Sequence, residues 1–172
     1  MTPQEDSYRI IPLTQGQLAI VDAADYEWLN QWKWFANYNK CTRSYYAGRQ
    51  TPRGTPGRQV SVWMHREILG LPRKSDGRLA DHINHVTMDN RRSNLRIATC
   101  SQNSRNHRRR ADNPSGFIGV SFYVPVGKWR ARIAFAGRQM HLGYYATCEE
   151  AAGVYRKTAT KLFGEFVLEV EE

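Results

Sequence analysis

The sequence predicts an α+β protein with three parts: a small N-terminal α+β segment, a strand–strand–helix unit, and a three-stranded antiparallel sheet packed on one helix. Runs rich in β-branched and aromatic residues are separated by turn residues, as in antiparallel sheets. The run 148–163 follows Thr147, a favoured helix cap, and precedes Gly164, a favoured helix terminator. Hydrophobic residues make up 41% of the 172 residues, which is enough for packed cores.

The N-terminal segment begins with a predicted hairpin and a helix. Residues 8–21 have the composition of two short strands around a turn at 14–16. Asp22 is expected to cap a helix in which aromatic residues recur at helical spacing as far as Trp34. We interpret these aromatic side chains as core residues.

A second hairpin and a short helix are predicted next. The runs 44–49 and 59–64 alternate between polar and apolar residues, and a loop rich in Gly, Pro and Arg separates them. The basic tip of this hairpin, including Arg49, is suited to contact a phosphate backbone. Residues 65–69 predict a short helix that ends at Gly70.

The charge distribution indicates a polyanionic partner. The formal net charge is +9 and the isoelectric point is near 9.7. Between Arg91 and Arg132 there are ten Lys or Arg residues and one acid, Asp112. A run of charged residues usually forms a solvent-exposed face, but such a concentration of basic residues indicates contact with a phosphate backbone. The three widely spaced cysteines argue against a zinc site or a disulfide framework and suit a reducing compartment.

Four residues in the middle of the chain carry the chemistry. Asp81 and His82 are adjacent, Asn94 follows, and Asn103 comes nine residues later in a predicted helix that Ser101 would cap. An imidazole can take a proton from water near neutral pH, and carboxylate and amide oxygens are hard ligands for Mg²⁺ or Mn²⁺. A lone Asp–His pair means little, and asparagines also serve in turns. The interpretation of these residues as a general base with metal ligands therefore rests on the order of all four along the chain.

This order resembles the HNH endonuclease motif, a ββα hairpin around one divalent metal, here at about residues 77–110. The resemblance implies that Asp81 is the first metal ligand and that His82 is the general base. It implies that Asn94 spans the loop and orients His82, and that Asn103 is the metal ligand on the helix. The expected cofactor is one Mg²⁺ or Mn²⁺, with no small-molecule cofactor.

The sequence leaves the roles of two further histidines open. His107 shares a helical face with Asn103, so it is either another ligand or a side chain facing solvent or phosphate. His65 either lies near the active site or is a packed histidine. Basic residues in and after the motif are expected to contact DNA: Arg91, Arg92, Arg105, Arg108, Arg109 and Arg110.

The C-terminal region has three strand-like runs, at 117–123, 128–135 and 139–145, before the helix at 148–163. It resembles the APETALA2-type DNA-binding domain. The matching segments are Gly119-Val120, Gly127-Lys128-Trp129, His141-Leu142-Gly143, Glu149-Glu150-Ala151-Ala152 and Phe163-Gly164. In that family one face of the sheet packs on the helix and the other reads the DNA major groove.

Alternation along the strands predicts which side chains face DNA. The packing face would consist of Val120, Trp129, Ala131, Ile133, Met140 and Leu142. The DNA-contacting set would consist of Ser121, Tyr123, Lys128, Arg130, Arg132, Arg138, Gln139 and His141. Several arginines and a tryptophan that read bases in the plant factors are replaced here, by Ile118, Ser121, Tyr123 and His141. The plant recognition sequence is therefore not expected.

Together these patterns predict a nuclease domain at 1–110, a linker at 111–116 and a DNA-binding domain at 117–172. The expected function is a site-targeting DNA endonuclease similar to phage or mobile-intron homing enzymes, nicking one strand of duplex DNA per active site. The alternatives are a non-catalytic, sequence-specific DNA-binding regulator and an RNA-binding protein. We expect a monomer or weak dimer without a membrane segment or signal peptide, located in the bacterial or phage-infected host cytoplasm.

Overall fold

A computed structural model describes residues 8–51, 60–72, 76–105 and 113–167. The chain divides into two compact units, Met1–Ser101 and Gln102–Glu172. We expected the first domain to extend to residue 110, whereas the boundary between the units falls after Ser101. The assignment of a separate function to each domain stays a prediction.

The described part of the first unit consists of short antiparallel strands with short helices. In chain order its elements are β1 (Tyr8–Pro12), β2 (Leu18–Asp22), α1 (Ala23–Asn30), β3 (Phe35–Asn39), β4 (Ser44–Gln50), β5 (Ser61–Trp63), α2 (Met64–Ile68), β6 (Arg78–His82) and β7 (Leu95–Thr99). The pairs are β1 with β2, β3 and β5 on either side of β4, and β6 with β7. The predicted α+β class is confirmed.

The core of the first unit forms between α1, α2 and the strands. Ile11, Val21, Leu29 and Met64 are fully buried in it. Trp34 also lies in this core, and its indole Nε1 donates to the Leu29 carbonyl at 2.8 Å. That carbonyl is near the end of α1, where intrahelical donors run out. The prediction that the helix continues to Trp34 is therefore wrong, because α1 ends at Asn30 and the tryptophan turns into the core.

Asp22 precedes α1, as predicted, but its side chain makes no capping hydrogen bond. Its Oδ2 instead accepts from the backbone N–H of Arg92 at 2.7 Å. The Arg92 guanidinium in turn donates to both carboxylate oxygens of Asp25, each at 2.8 Å. These bonds tie the start of α1 to the segment just before β7.

Arg49 does not lie at an exposed hairpin tip. Its guanidinium is packed over the Trp32 ring, 4.4 Å from the centroid, and forms a salt bridge with Glu67 on α2. The side chain is 11% exposed, so the prediction that Arg49 contacts a phosphate backbone is wrong. A buried arginine needs a carboxylate partner, and Glu67 supplies one. The rest of the predicted basic tip, at 52–59, lies outside the described residues.

The β6–β7 hairpin is followed by α3 (Cys100–Asn103). Asp81 faces Arg96, and His82 faces Leu95 across the pair. Ser101 was expected to cap this helix, but α3 begins one residue earlier and includes Ser101, so that prediction is wrong. The helix was also expected to continue to Arg110, but α3 ends at Asn103 and residues 104–105 form a turn, so that part of the prediction is wrong. The rest of the predicted helix, at 106–110, lies outside the described residues.

The second unit contains β8 (Val120–Tyr123), β9 (Lys128–Phe135), β10 (Arg138–Tyr145) and α4 (Cys148–Phe163). Its antiparallel sheet has the order β10-β9-β8, and α4 packs on one face through Val120, Ala131, Ala151 and Ala152. The predicted three-stranded sheet packed on one helix is confirmed.

Both ends of α4 match the sequence prediction. The Thr147 side chain accepts from the Glu150 N–H, and the Glu150 carboxylate accepts in return from the Thr147 N–H, which forms a capping box. Gly119 lies under the helix with φ +72°, and a Cβ there would come within 2.1 Å of the Tyr155 ring. Only glycine fits this close approach between sheet and helix.

Within the described ranges, no helix combines the length and apolar character needed to cross a bilayer.

Candidate functional site

Strand β6 carries Asp81 and His82 to the end of the β6–β7 hairpin. Their backbone continues the pairing with β7, so both side chains are held on a regular element rather than a loop. Each residue is 6% exposed. A buried carboxylate and a buried imidazole both need polar partners.

Arg96 forms an ion pair with Asp81, and the sequence analysis missed this role. From the directly opposite position on β7, its Nε and Nη2 both lie 2.8 Å from Asp81 Oδ2. The two side chains are 9% and 7% exposed, so this ion pair is largely removed from water. Arg96 therefore fixes the orientation of the carboxylate that was predicted to hold a metal. The signal in the sequence was cross-strand pairing, which places Arg96 opposite Asp81 only once the register is known.

Asn94 lies across the loop that joins β6 to β7. Its Oδ1 accepts from the Asn84 N–H at 2.9 Å, and its Nδ2 donates to the Asp89 carbonyl at 2.7 Å. The Ile83 N–H also donates to the Asn94 carbonyl at 2.9 Å. This geometry agrees with the loop-spanning role expected of Asn94, and its effect on His82 would be exerted through Ile83 and Asn84. The catalytic importance of Asn94 stays a prediction.

The imidazole of His82 lies close to the side chains of Asn90, His65 and Tyr46. Its Nε2 lies 3.4 Å from Oδ1 of Asn90, which has no exposed surface. The His65 ring lies 5.2 Å from the His82 ring at an interplanar angle of 64°, and the Tyr46 ring lies 6.3 Å away. Burial lowers the pKa of His82 below its ordinary value, although Asn90 and Asp81 oppose the shift. His82 is therefore neutral at neutral pH, which is the form that a general base requires.

His65 is packed, as one of the two interpretations expected, and its ring lies beside that of the candidate base His82. Its Nδ1 is buried without a hydrogen-bond partner among the described residues. Burial, with further contributions from His82 and Arg66, lowers the pKa of His65 to about 3. The side chain is thus a neutral ring over the whole physiological range.

We expect this buried ring to make the fold sensitive to acid. The folded-state pKa is about 3, against 6.5 for an ordinary histidine, so between these values the unfolded chain binds a proton that the folded chain does not. Stability is unaffected by this group above pH 6.5 and falls by about 1.4 kcal/mol per pH unit below it. The variant His65→Phe keeps an aromatic ring at this buried position but has no group that binds a proton, so this pH dependence should be lost.

Urea unfolding at pH 7.5 and pH 5 tests this expectation. The loss of unfolding free energy between the two values should be smaller in His65→Phe than in the parent by about 2 kcal/mol. His141→Phe, at an exposed position, is the matched control and should keep the parent's pH dependence. Equal losses in the parent and His65→Phe would contradict the expectation.

The first two arginines expected to contact DNA take part in ion pairs. Arg91 binds the Asp89 carboxylate through Nε and Nη2 at 2.8 and 2.7 Å, and this contact holds the pKa of Asp89 below its usual range. Arg92 binds Asp25, as described above. Both pairs brace the segment before β7. DNA contact by these arginines stays a prediction. Each would have to bind phosphate through N–H groups other than the Nε and Nη2 donors used in its ion pair.

The predicted helical ligand falls in the second unit. Asn103 ends α3 and is half-buried, and its pairing with Asp81 on a metal stays a prediction. Arg105 places its guanidinium over the Phe163 ring, 4.4 Å from the centroid. His107, Arg108, Arg109 and Arg110 lie outside the described residues. Within the described ranges, no group of three or more His, Cys, Asp or Glu side chains is positioned to hold a metal.

The sheet of the second unit has one face turned away from α4. Cross-strand pairing places Ser121 opposite Arg130 and His141 opposite Arg132, as the predicted DNA-facing set requires. The remaining members of that set are Tyr123, Lys128, Arg138 and Gln139. Their contact with DNA stays a prediction.

Tyr144 joins this face and was missed from the sequence. A register shift between His141 and Gly143 puts Tyr144 opposite Arg130, whereas strict alternation would have put it on the packing face. Its ring is 4.6 Å from the His141 ring and stacks 5.5 Å from the Tyr123 ring. The Arg130 guanidinium lies over Tyr123, 4.5 Å from the centroid. These four side chains form an aromatic and cationic cluster.

Comparison with known proteins finds viral relatives. The chain is 28% identical over 152 residues to a protein of Acanthamoeba polyphaga mimivirus named "Uncharacterized HNH endonuclease L560", covering 88% of this chain and 74% of that protein. It is 31% identical over 111 residues to "Protein 3.8" of Escherichia phage T7, covering 64% of this chain and 88% of that protein. No family model and no solved structure matches the chain. The first relationship supports a nuclease of the HNH type.

Proposed function

We propose that this protein is a metal-dependent endonuclease acting on duplex DNA. The premise is that the chain belongs to the family of phage T7 protein 3.8 and is related to a mimiviral protein named as an HNH endonuclease. The observation that carries the proposal is the pair Asp81 and His82 at the end of β6. Both are buried, and each is oriented by a named partner. We further propose that it nicks one strand per active site, as a homing-type enzyme would.

The side chains at this site suit a hard divalent cation. Mg²⁺ and Mn²⁺ bind through one or two carboxylates and keep several waters and substrate oxygens as the remaining ligands. Asp81 supplies such a carboxylate, and Asn103 stays the predicted second ligand. When bound, the cation would stabilise negative charge on the phosphate and on the departing 3′ oxygen.

The residues of the chain perform the remaining steps. Neutral His82 takes a proton from a water molecule, whose oxygen forms a bond to phosphorus as the bond from phosphorus to the 3′ oxygen breaks. The leaving oxygen is protonated from solvent, giving 5′-phosphate and 3′-hydroxyl ends. Arg96 keeps the Asp81 carboxylate in place, and Asn94 keeps the loop after His82 closed.

The reaction is tested by incubating a linear duplex library with the protein in Mg²⁺, in Mn²⁺ and in EDTA. We expect cleavage in a metal and none in EDTA, with ends that a ligase accepts without prior phosphorylation. Duplex RNA of the same sequences serves as the competitor. Cleavage that persists in EDTA, or a preference for RNA, would contradict the proposal.

The cluster on the second unit's sheet is proposed to contact the DNA. Arg130, Arg132 and Lys128 give this face positive charge, and a β-sheet fits the major groove. Arg130→Ala should therefore weaken duplex binding by about 1–3 kcal/mol and relax sequence preference at one position. Lys157→Ala makes the same charge change on an exposed position of α4 and is the matched control.

Binding of a randomised duplex pool by the parent and both variants measures affinity and preference together. The parent and Lys157→Ala should select the same sequences. If Arg130→Ala also selects the parent's sequences with the parent's affinity, the sheet face does not read DNA.

A second candidate function is a non-catalytic DNA-binding protein, and two observations favour it. His82 is 6% exposed, and Asp81 is engaged by Arg96. A scaffold with no chemistry would also bury these groups in satisfied contacts. The metal and EDTA comparison above separates the two functions, because only the enzyme produces new DNA ends.

A further inference from the structure

The surroundings of Asn90 determine which way its side-chain amide points. The residue is fully buried, and its backbone N–H donates to the Ile20 carbonyl on β2 at 2.7 Å. Its Nδ2 donates to the Met88 carbonyl at 3.2 Å. Reversing the amide would place Oδ1 against that carbonyl, so two acceptors would face each other without a proton between them. Oδ1 therefore faces His82.

An amide oxygen can only accept a hydrogen bond, so the His82 nitrogen that faces it must carry the hydrogen. That nitrogen is Nε2, 3.4 Å from Asn90 Oδ1. The neighbouring His65 and Tyr46 rings pack against the imidazole and oppose its rotation. In a neutral imidazole with hydrogen on Nε2, the basic lone pair is on Nδ1.

We propose that Asn90 is a positioning residue that holds His82 in the Nε2–H tautomer, so that Nδ1 accepts the proton of the attacking water. This inference rests on the proposed nuclease function for its catalytic meaning, whereas the tautomer itself is a property of the free protein. Asn94 does not fill this role directly, because its amide groups bind Asn84 and Asp89.

The tautomer is measured on the full-length, ¹⁵N-labelled protein by long-range ¹H–¹⁵N correlation of the histidine rings at pH 7.5, with His82 assigned from the signals that His82→Gln removes. We expect a protonated Nε2 and an unprotonated Nδ1. A predominant Nδ1–H form would overturn the proposal. This result does not depend on cleavage, so it stays interpretable if the protein proves not to be a nuclease.

The role of Asn90 is then tested with two variants. Asn90→Ala removes the acceptor and should give a tautomer mixture, with a single-turnover rate about 10- to 100-fold lower and a half-saturating DNA concentration within about twofold of the parent's. Asn90→Asp keeps an acceptor oxygen and should keep the Nε2–H form. Asn39→Ala, at the exposed last residue of β3, is the control and should match the parent in both measurements.

An unchanged tautomer in a folded Asn90→Ala would overturn the role of Asn90, whatever its rate. If Asn90→Ala does not fold, the wild-type spectrum and Asn90→Asp decide the question, because loss of the Nε2–H form in Asn90→Asp would equally contradict the proposal.

Discussion

His82→Ala is expected to lower the rate of DNA cleavage by about 10²- to 10⁴-fold, which is the usual contribution of a positioned general base. The His82 imidazole can take a proton from water near neutral pH, and burial lowers its pKa, which favours the neutral form. The affinity for duplex DNA should not change, because His82 is buried and carries no charge for phosphates to contact. Single-turnover cleavage and equilibrium binding, measured on the same preparation, separate the two effects.

The control for this variant is His85→Asn in the adjoining loop. His85 has φ +60°, a conformation that asparagine tolerates better than most residues, so the loop should keep its shape. Its rate should stay close to that of the parent. Equal cleavage rates in His82→Ala and the parent would show that another group activates the water.

Arg96→Ala is expected to lower the free energy of unfolding by about 3–5 kcal/mol, because it breaks the buried ion pair between Arg96 and Asp81 by removing one of its two charges. The Nε and Nη2 atoms of this guanidinium both lie 2.8 Å from Asp81 Oδ2, and both side chains are largely shielded from water. Urea unfolding at neutral pH in EDTA measures the effect without any contribution from bound metal.

Arg78→Ala is the matched control, since it removes an arginine of the same hairpin, on β6, whose salt bridge with Asp76 is exposed. Its unfolding free energy should stay close to the parent's. A loss in Arg96→Ala no larger than the loss in Arg78→Ala would mean that Asp81 does not depend on Arg96.

Local sequence signals predicted the second unit well. Thr147 and Gly164 lie at the ends of α4 because capping depends on neighbouring residues alone. The helix expected after Asp22 ended early because burial of Trp34 in the core outweighed the local helical pattern. Tyr144 was missed because a bulge in β10 breaks the two-residue alternation. The signal that could have indicated it is Gly143, which lies at the register shift with φ +134°, since a glycine inside a strand often marks a bulge.

The candidate site was predictable only in part. Adjacency and order along the chain indicated Asp81 and His82, whose local chemistry is visible in the sequence. Arg96 and Asn90 acquire their roles through strand register and through the docking of a loop on β2. Both are long-range features, and a solvated arginine or a turn asparagine would look the same in the sequence.

Conversion of supercoiled plasmid by the parent and by His82→Ala, side by side in Mg²⁺ or Mn²⁺ and in EDTA, tests the proposed nuclease activity most directly. We expect the parent to produce nicked circles only in the presence of metal, and His82→Ala to bind the plasmid without nicking it. Binding without nicking by both proteins in every metal would contradict the nuclease function and favour a non-catalytic DNA-binding protein built on the same hairpin.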